Sequence, residues 1–249
     1  RPETGRHTAS INRIATDAQS RWIATASNDK TLRLWDGETG NLLRTMRPPI
    51  GLGHDGKLYA VAMDPDGDWI AAGGWTGWDW DGKASIYILD RATGQLRQRL
   101  GDLEHRVIHL CVSKDGRWLA ATLKHGQGVR VYDVQQNFSL VFEDSSYGDE
   151  SYGCVFSPDN KNMITSCFDG YLRRYELIHG VFQKQVQYLI QRGIKPSGLA
   201  FHPTENLLGV GAVNSTKVAV HDAQTLEELY RPDFIGIYRG NLTSVAWSF

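Results

Sequence analysis

Five stretches of this chain share one skeleton: TLRLWDGETG (31–40), SIYILDRATG (85–94), VRVYDVQQN (129–137), LRRYELIHG (172–180) and KVAVHDAQT (217–225). Each is an alternating strand that ends in an acid and then turns. A repeat constrains the fold more than any local signal, because a unit that cannot bury its own apolar face must stack on a copy of itself. The acids Asp36, Asp90, Asp133, Glu176 and Asp222 mark the period, at intervals of 54, 43, 43 and 46 residues. Three of the four fit a four-stranded unit of about 40–45 residues. The excess in the first must lie in loops.

Upstream of each marker an apolar strand closes on TDAQSR, MDPDGD, VSKDGR, FSPDNK or FHPTEN, and a second apolar run follows. Asp, Asn, Ser, Gly and Pro supply side-chain-to-backbone bonds or a preset φ, so each reads as a tight turn between the first two strands of a unit. The third strand alternates with period two. Leu32 and Leu34, Ile86 and Ile88, Val129 and Val131, Leu172, then Val218 and Val220 share one face, which is expected to pack on the next unit. Arg174 interrupts that face, and its charge must reach water or a carboxylate.

Chain-wide, this pattern resembles a WD-repeat (WD40) β-propeller, and the clearest unit is RHTASINRIATDAQSRWIATASNDKTLRLWD (6–36). The resemblance implies a structural hydrogen-bond network of His7, Ser27, Asp29 and Trp35. Repeat two keeps Gly53 and His54 at the matching spacing. Repeat four keeps Asp169 and Tyr175 without a leading histidine, and repeat five has His221 where the tryptophan would stand. The fold expected is all-β, with five four-stranded blades at about 7–47, 54–101, 105–143, 150–189 and 195–231. NLTSVAWS (241–248) would add the first strand of a sixth, in a ring of about seven blades. The stretch RPPIGLGHDGKLYAVAMDPDGDWIAAGGWTGW is similar to the WD-repeat portion of bacterial proteins that also carry a caspase-like peptidase domain. That similarity implies a sensor or scaffold half of a longer polypeptide.

Charge excludes some partners. Lys plus Arg is 27 against Asp plus Glu at 28, so no field draws nucleic acid or an anionic membrane. No apolar run approaches the roughly 20 residues that span a bilayer, and no signal sequence precedes Arg1. A soluble chain, cytoplasmic or periplasmic, is expected. The start at Arg1 without a methionine and the end at Phe249 within an apolar pattern suggest cut ends. Cys111, Cys154 and Cys167 lie in strand-like runs and read as small buried hydrophobes.

Catalytic patterns are missing. None of the cysteines has a Q-A-C setting with an upstream histidine, and there is no G-x-S-x-G, G-x-x-x-x-G-K or H-E-x-x-H. Asp64, Asp66 and Asp68 in DPDGDW superficially resemble a calcium loop, but a plain β-turn stands at the same place in every other repeat. His109, His202 and His221 are scattered, and no metal or cofactor is expected.

In such a blade the links between strands two and three, and from strand four onward, emerge on one face. The long loops collect there: 47–57, 75–84, 124–128, 143–153, 191–198 and 232–241. The segment GGWTGWDWDG (73–82) holds Trp75, Trp78, Asp79, Trp80 and Asp81, and tryptophans among acids and glycines suit a partner-binding hot spot. The alternatives are that the tryptophans fold back over loop 47–57 as a cap, or that they form a cage for a quaternary ammonium group with Asp79 or Asp81. Further contact residues are placed at Tyr147 and Tyr152 in the acidic tyrosine loop, and at Arg192, Lys195, Tyr238 and Arg239 in the last two loops. The role expected is a non-catalytic scaffold that binds a protein or peptide. A propeller enzyme with a channel site is the less favoured alternative, since the first strands carry IATD, VAMD, LCVS, CVFS and LAFH rather than converging acids and histidines.

Overall fold

The computed structural model describes residues 5–232 and 240–247, the side chain of Trp80 excepted. Within them every repeat becomes one four-stranded antiparallel sheet whose strands run in chain order. The first sheet holds β1 (Ile11–Thr16), β2 (Trp22–Ser27), β3 (Leu32–Asp36) and β4 (Leu42–Met46). The second holds β5 (Lys57–Met63), β6 (Trp69–Trp75), β7 (Ala84–Asp90) and β8 (Leu96–Leu103), with a one-turn helix α1 (Trp78–Asp81) between β6 and β7. The third holds β9 (Val107–Val112), β10 (Trp118–Leu123), β11 (Val129–Asp133) and β12 (Ser139–Asp144). The fourth holds β13 (Ser151–Phe156), β14 (Asn162–Cys167), β15 (Tyr171–Ile178) and β16 (Val181–Leu189). The fifth holds β17 (Pro196–Phe201), β18 (Leu207–Ala212), β19 (Ala219–Asp222) and β20 (Glu228–Tyr230).

The chain divides into two compact units, residues 1–121 and 122–249. In the first, Leu32 and Leu34 of β3 and Ala24 and Ala26 of β2 pack with Leu58, Val61 and Met63 of β5 and Ile70 and Ala72 of β6. In the second, Ile164 and Leu172 pack with Leu208, Val210 and Leu226. Each Leu, Ile, Val or Met among them contributes roughly 1.5–3 kcal/mol on leaving water. The cores therefore lie between consecutive sheets, as the alternation of the third strands requires.

Irregularities repeat as faithfully as the strands. The pairing of the third and fourth strands slips between Leu34 and Trp35, Ile88 and Leu89, Val131 and Tyr132, Arg174 and Tyr175, and Val220 and His221. A bulge of this kind bends the strand and re-aims the next side chain. That side chain stands one residue before the acid that marks each repeat.

Arg174 does not reach water: its guanidinium donates to the Gln224 carbonyl at 2.9 Å and to Asn162 Oδ1 at 2.7 Å, with Glu176 at 3.4 Å. DPDGDW is a turn closed by Gly67 N–H to Asp64 O at 2.8 Å. Cys154 and Cys167 are buried, whereas Cys111 is half-buried. Residues 241–247 carry no strand pairing, but Leu242 N–H bonds Ala212 O at 3.0 Å and Trp247 Nε1 bonds Ala200 O at 2.9 Å. The segment thus lies along β17 and β18 without joining a sheet.

Candidate functional site

Two kinds of polar construction must be separated, one that holds sheets together and one that faces outward. In the first sheet His7 Nδ1 meets Asp29 Oδ2 at 2.9 Å and His7 Nε2 meets Thr25 Oγ1 at 2.7 Å, while Trp35 Nε1 donates to the same hydroxyl at 2.8 Å. The hydroxyl of the network is therefore Thr25. Ser27, expected in that place, instead donates to Ala9 O and accepts from Asp29 N–H, so it anchors the entering chain. Burial raises the Asp29 pKa, but bonds from the Thr31 hydroxyl, Thr8 N–H and His7 outweigh it and hold the carboxyl at about 2.

The fourth sheet rebuilds this network with other side chains. Tyr147 hydroxyl lies 2.6 Å from Thr165 Oγ1 and 2.8 Å from the Tyr175 hydroxyl, which donates to Asp144 Oδ2 at 2.8 Å. Asp169 accepts from Gly148 N–H at 3.0 Å, as Asp29 does from Thr8 N–H, and Cys167 occupies the place of Ser27. Tyr147 thus stands where His7 does. Its expected role as a partner contact is corrected, since it is 8% exposed and its ring lies under the Arg173 guanidinium at 4.1 Å. A signal was present in the sequence. Tyr147 precedes Thr165 by 18 residues, as His7 precedes Thr25.

In the second sheet the network is gone, because Ala72 and Leu89 replace the hydroxyl and the indole. His54 is exposed and sets its ring edge-on to Trp75 with centroids 6.4 Å apart, so its expected network role is also corrected. What replaces the network is a pair of loops sewn together. Leu52 N–H donates to Asp79 Oδ2 at 2.9 Å, Trp78 N–H to Asp55 Oδ1 at 3.3 Å, and Gly56 N–H to Trp75 O at 2.6 Å. Gly51 is required for the approach, since a Cβ there would fall 2.0 Å from Asp79 Oδ2.

On this frame Trp75 and Trp78, both half-buried, lie with ring centroids 5.4 Å apart, and His105 sits against both at 6.1 and 6.0 Å. The Arg106 guanidinium lies over the Trp75 ring at 5.0 Å. Beside them Leu52 is 89% exposed and Ile50 52%. The Trp75 indole thus leans on His54 of loop 47–57, and both indoles stay half-buried. Asp81 is held by Arg99 at 2.7 Å, and Asp79, which stays exposed, accepts the Leu52 N–H at 2.9 Å. The side chain of Trp80, and Tyr238 and Arg239 entirely, lie outside the described residues.

In the second unit Tyr152 stacks on Phe168 with centroids 5.0 Å apart and planes at 17°, and Lys195 Nζ lies 5.3 Å from the Phe168 ring. Two expected contact residues are thus brought together by a phenylalanine that sequence reading passed over. Arg192, three residues before Lys195, is exposed. Among the described residues no group of three or more His, Cys, Asp or Glu could hold a metal ion, and no helix is long and apolar enough to cross a membrane.

Comparison with known proteins agrees with this geometry. Residues 3–36 and 40–87 match the family described as WD domain, G-beta repeat. Relatives include Periodic tryptophan protein 2 of Arabidopsis thaliana, 25% identical over 73% of this chain and 19% of its own length. Eukaryotic translation initiation factor 3 subunit I of Saccharomyces cerevisiae is 26% identical over 66% of this chain and 48% of its own. Small ribosomal subunit protein RACK1y of Oryza sativa subsp. japonica is 26% identical over 66% and 46%. The chain therefore spans less than half the length of each. These relatives are eukaryotic, and the similarity to bacterial proteins with a caspase-like peptidase domain finds no support in them. WD repeats are thus matched over the first sheet and most of the second, on an all-β framework that holds five four-stranded sheets among the described residues.

Proposed function

We propose that this chain is a non-catalytic scaffold that docks a protein or peptide on the loops at one end of its second sheet. The observation that carries the reading is Leu52, 89% exposed beside the half-buried Trp75 and Trp78 on a loop pair fixed by internal hydrogen bonds. A large aliphatic held out on a rigid base next to aromatic rings has the form of a binding hot spot, since little entropy remains to be lost on docking. The names of two relatives place those proteins in assemblies, an initiation factor 3 subunit and a small ribosomal subunit protein, which is consistent with the same kind of role here. The Tyr152, Phe168 and Lys195 cluster is a second, smaller candidate on the other unit.

The test is Leu52→Glu. Capture of a partner from cell extract should fall by about tenfold or more, the loss typical of a buried apolar anchor. Melting temperature should be unchanged, because the side chain has almost no contacts to lose. Capture unaffected by Leu52→Glu and by Trp78→Ala would overturn the reading.

A further inference from the structure

The sequence of the tryptophan loop looks acidic, yet in the fold its carboxylates already have partners, while two neighbouring cations have none of opposite charge among the described residues. Asp81 is paired with Arg99, Glu104 with Lys83, and Asp79 is turned onto the Leu52 N–H. Asp55 is 2% exposed beneath the loop. The cations of the same surface are differently placed. Arg106 is half-buried, lies over Trp75 and Tyr59 at 5.0 and 5.8 Å, and meets no carboxylate among the described residues. Lys57, whose backbone pairs with Trp75 in the β5–β6 ladder, is likewise half-buried without an acidic partner among them. Lys30 adds a third positive charge, donating to Gly51 O at 2.9 Å.

An Arg laid on an indole keeps its in-plane N–H groups free, and those donors match a carboxylate bidentately while the ring excludes water from the pair. Leu52 and Ile50 supply the apolar neighbour. From this charge arrangement we infer that the occupant of the surface is an acidic peptide segment bearing an aliphatic or aromatic anchor, its carboxylates on Arg106 and Lys57 and its anchor against Leu52 and Trp75. The inference rests on the docking reading above and gives it a partner chemistry.

The experiment is selection of displayed random peptides, about a dozen residues long, on the folded chain, with Arg106→Glu, Lys57→Glu and Trp75→Ala as parallel baits. Peptides enriched on the unsubstituted chain should carry net negative charge and at least one large apolar residue. Their enrichment should fall by about tenfold or more on each bait, and binding of a selected peptide should weaken with salt. Circular dichroism melts check that the baits fold, and Arg106→Gln replaces Arg106→Glu if the reversal does not. Basic or neutral peptides enriched on the unsubstituted chain and lost on Trp75→Ala would overturn the acidic partner while leaving the docking surface intact. Acidic peptides that bind Arg106→Glu and Lys57→Glu as well as the unsubstituted chain would overturn it too, since they sit elsewhere. No enrichment at all would overturn the inference and the docking reading together.

Discussion

Thr25 accepts from an indole and meets an imidazole on one hydroxyl, so two ring nitrogens depend on one oxygen atom. Thr25→Val keeps the shape and removes that oxygen. We expect a loss of about 1–3 kcal/mol, measured by urea unfolding, because the buried indole N–H loses its acceptor and the imidazole Nε2 loses its partner. Tyr147→Phe should have a comparable effect in the fourth sheet, where Thr165 and Tyr175 share its hydroxyl. His221 offers a case in which protonation state decides. Its Nδ1 donates to Leu226 O at 2.8 Å, its Nε2 is buried without a partner, and burial lowers its pKa. The fold therefore favours the neutral ring. Stability contributed by that preference is full above the ordinary value of about 6.5 and declines as pH falls below it. The melting temperature should drop as pH falls below about 6.5, and His221→Phe should flatten that limb. Asp29, held at about 2 against an ordinary 3.8, adds a second loss that begins only as pH falls through the ordinary value toward 2.

Among elements, the two loops of the second sheet show most clearly what sequence could and could not reveal. The interval between Asp36 and Asp90 placed surplus residues in loops, and loops 47–57 and 75–84 do hold them. That they bond to each other was not readable, because it depends on Leu52 N–H and Asp79 meeting across separate turns. Strands were readable because alternation of apolar residues encodes their faces directly. The networks were only partly readable. A motif of residue types finds His7, Asp29 and Trp35, whereas Tyr147 in place of His7 satisfies the same hydroxyl with a different ring. Gly51→Ala tests the loop pair. Its Cβ would displace the Asp79 carboxylate and free the Leu52 N–H, so hydrogen exchange at Leu52 and Trp78 should quicken while the strands of the first sheet keep their protection. Unchanged exchange at Leu52 would mean that the loops are held by other contacts.

At the scale of the molecule, repetition does most of the work, since five sheets of one plan arise from a skeleton that tolerates losing its tryptophan, its histidine or its serine. What the repeats have in common stabilises; what differs between them is concentrated in the second repeat, where Gly51, Leu52, Trp75 and Trp78 replace a hydrogen-bond network with an outward-facing surface. The account stands on that surface being the place where a partner sits. A photo-crosslinking residue at position 52, compared with the same residue at Glu38 in the exposed turn after β3, tests it most directly. We expect a covalent protein adduct from position 52 that disappears with Trp78→Ala and is absent from position 38. An adduct from position 38 with none from position 52 would contradict the account.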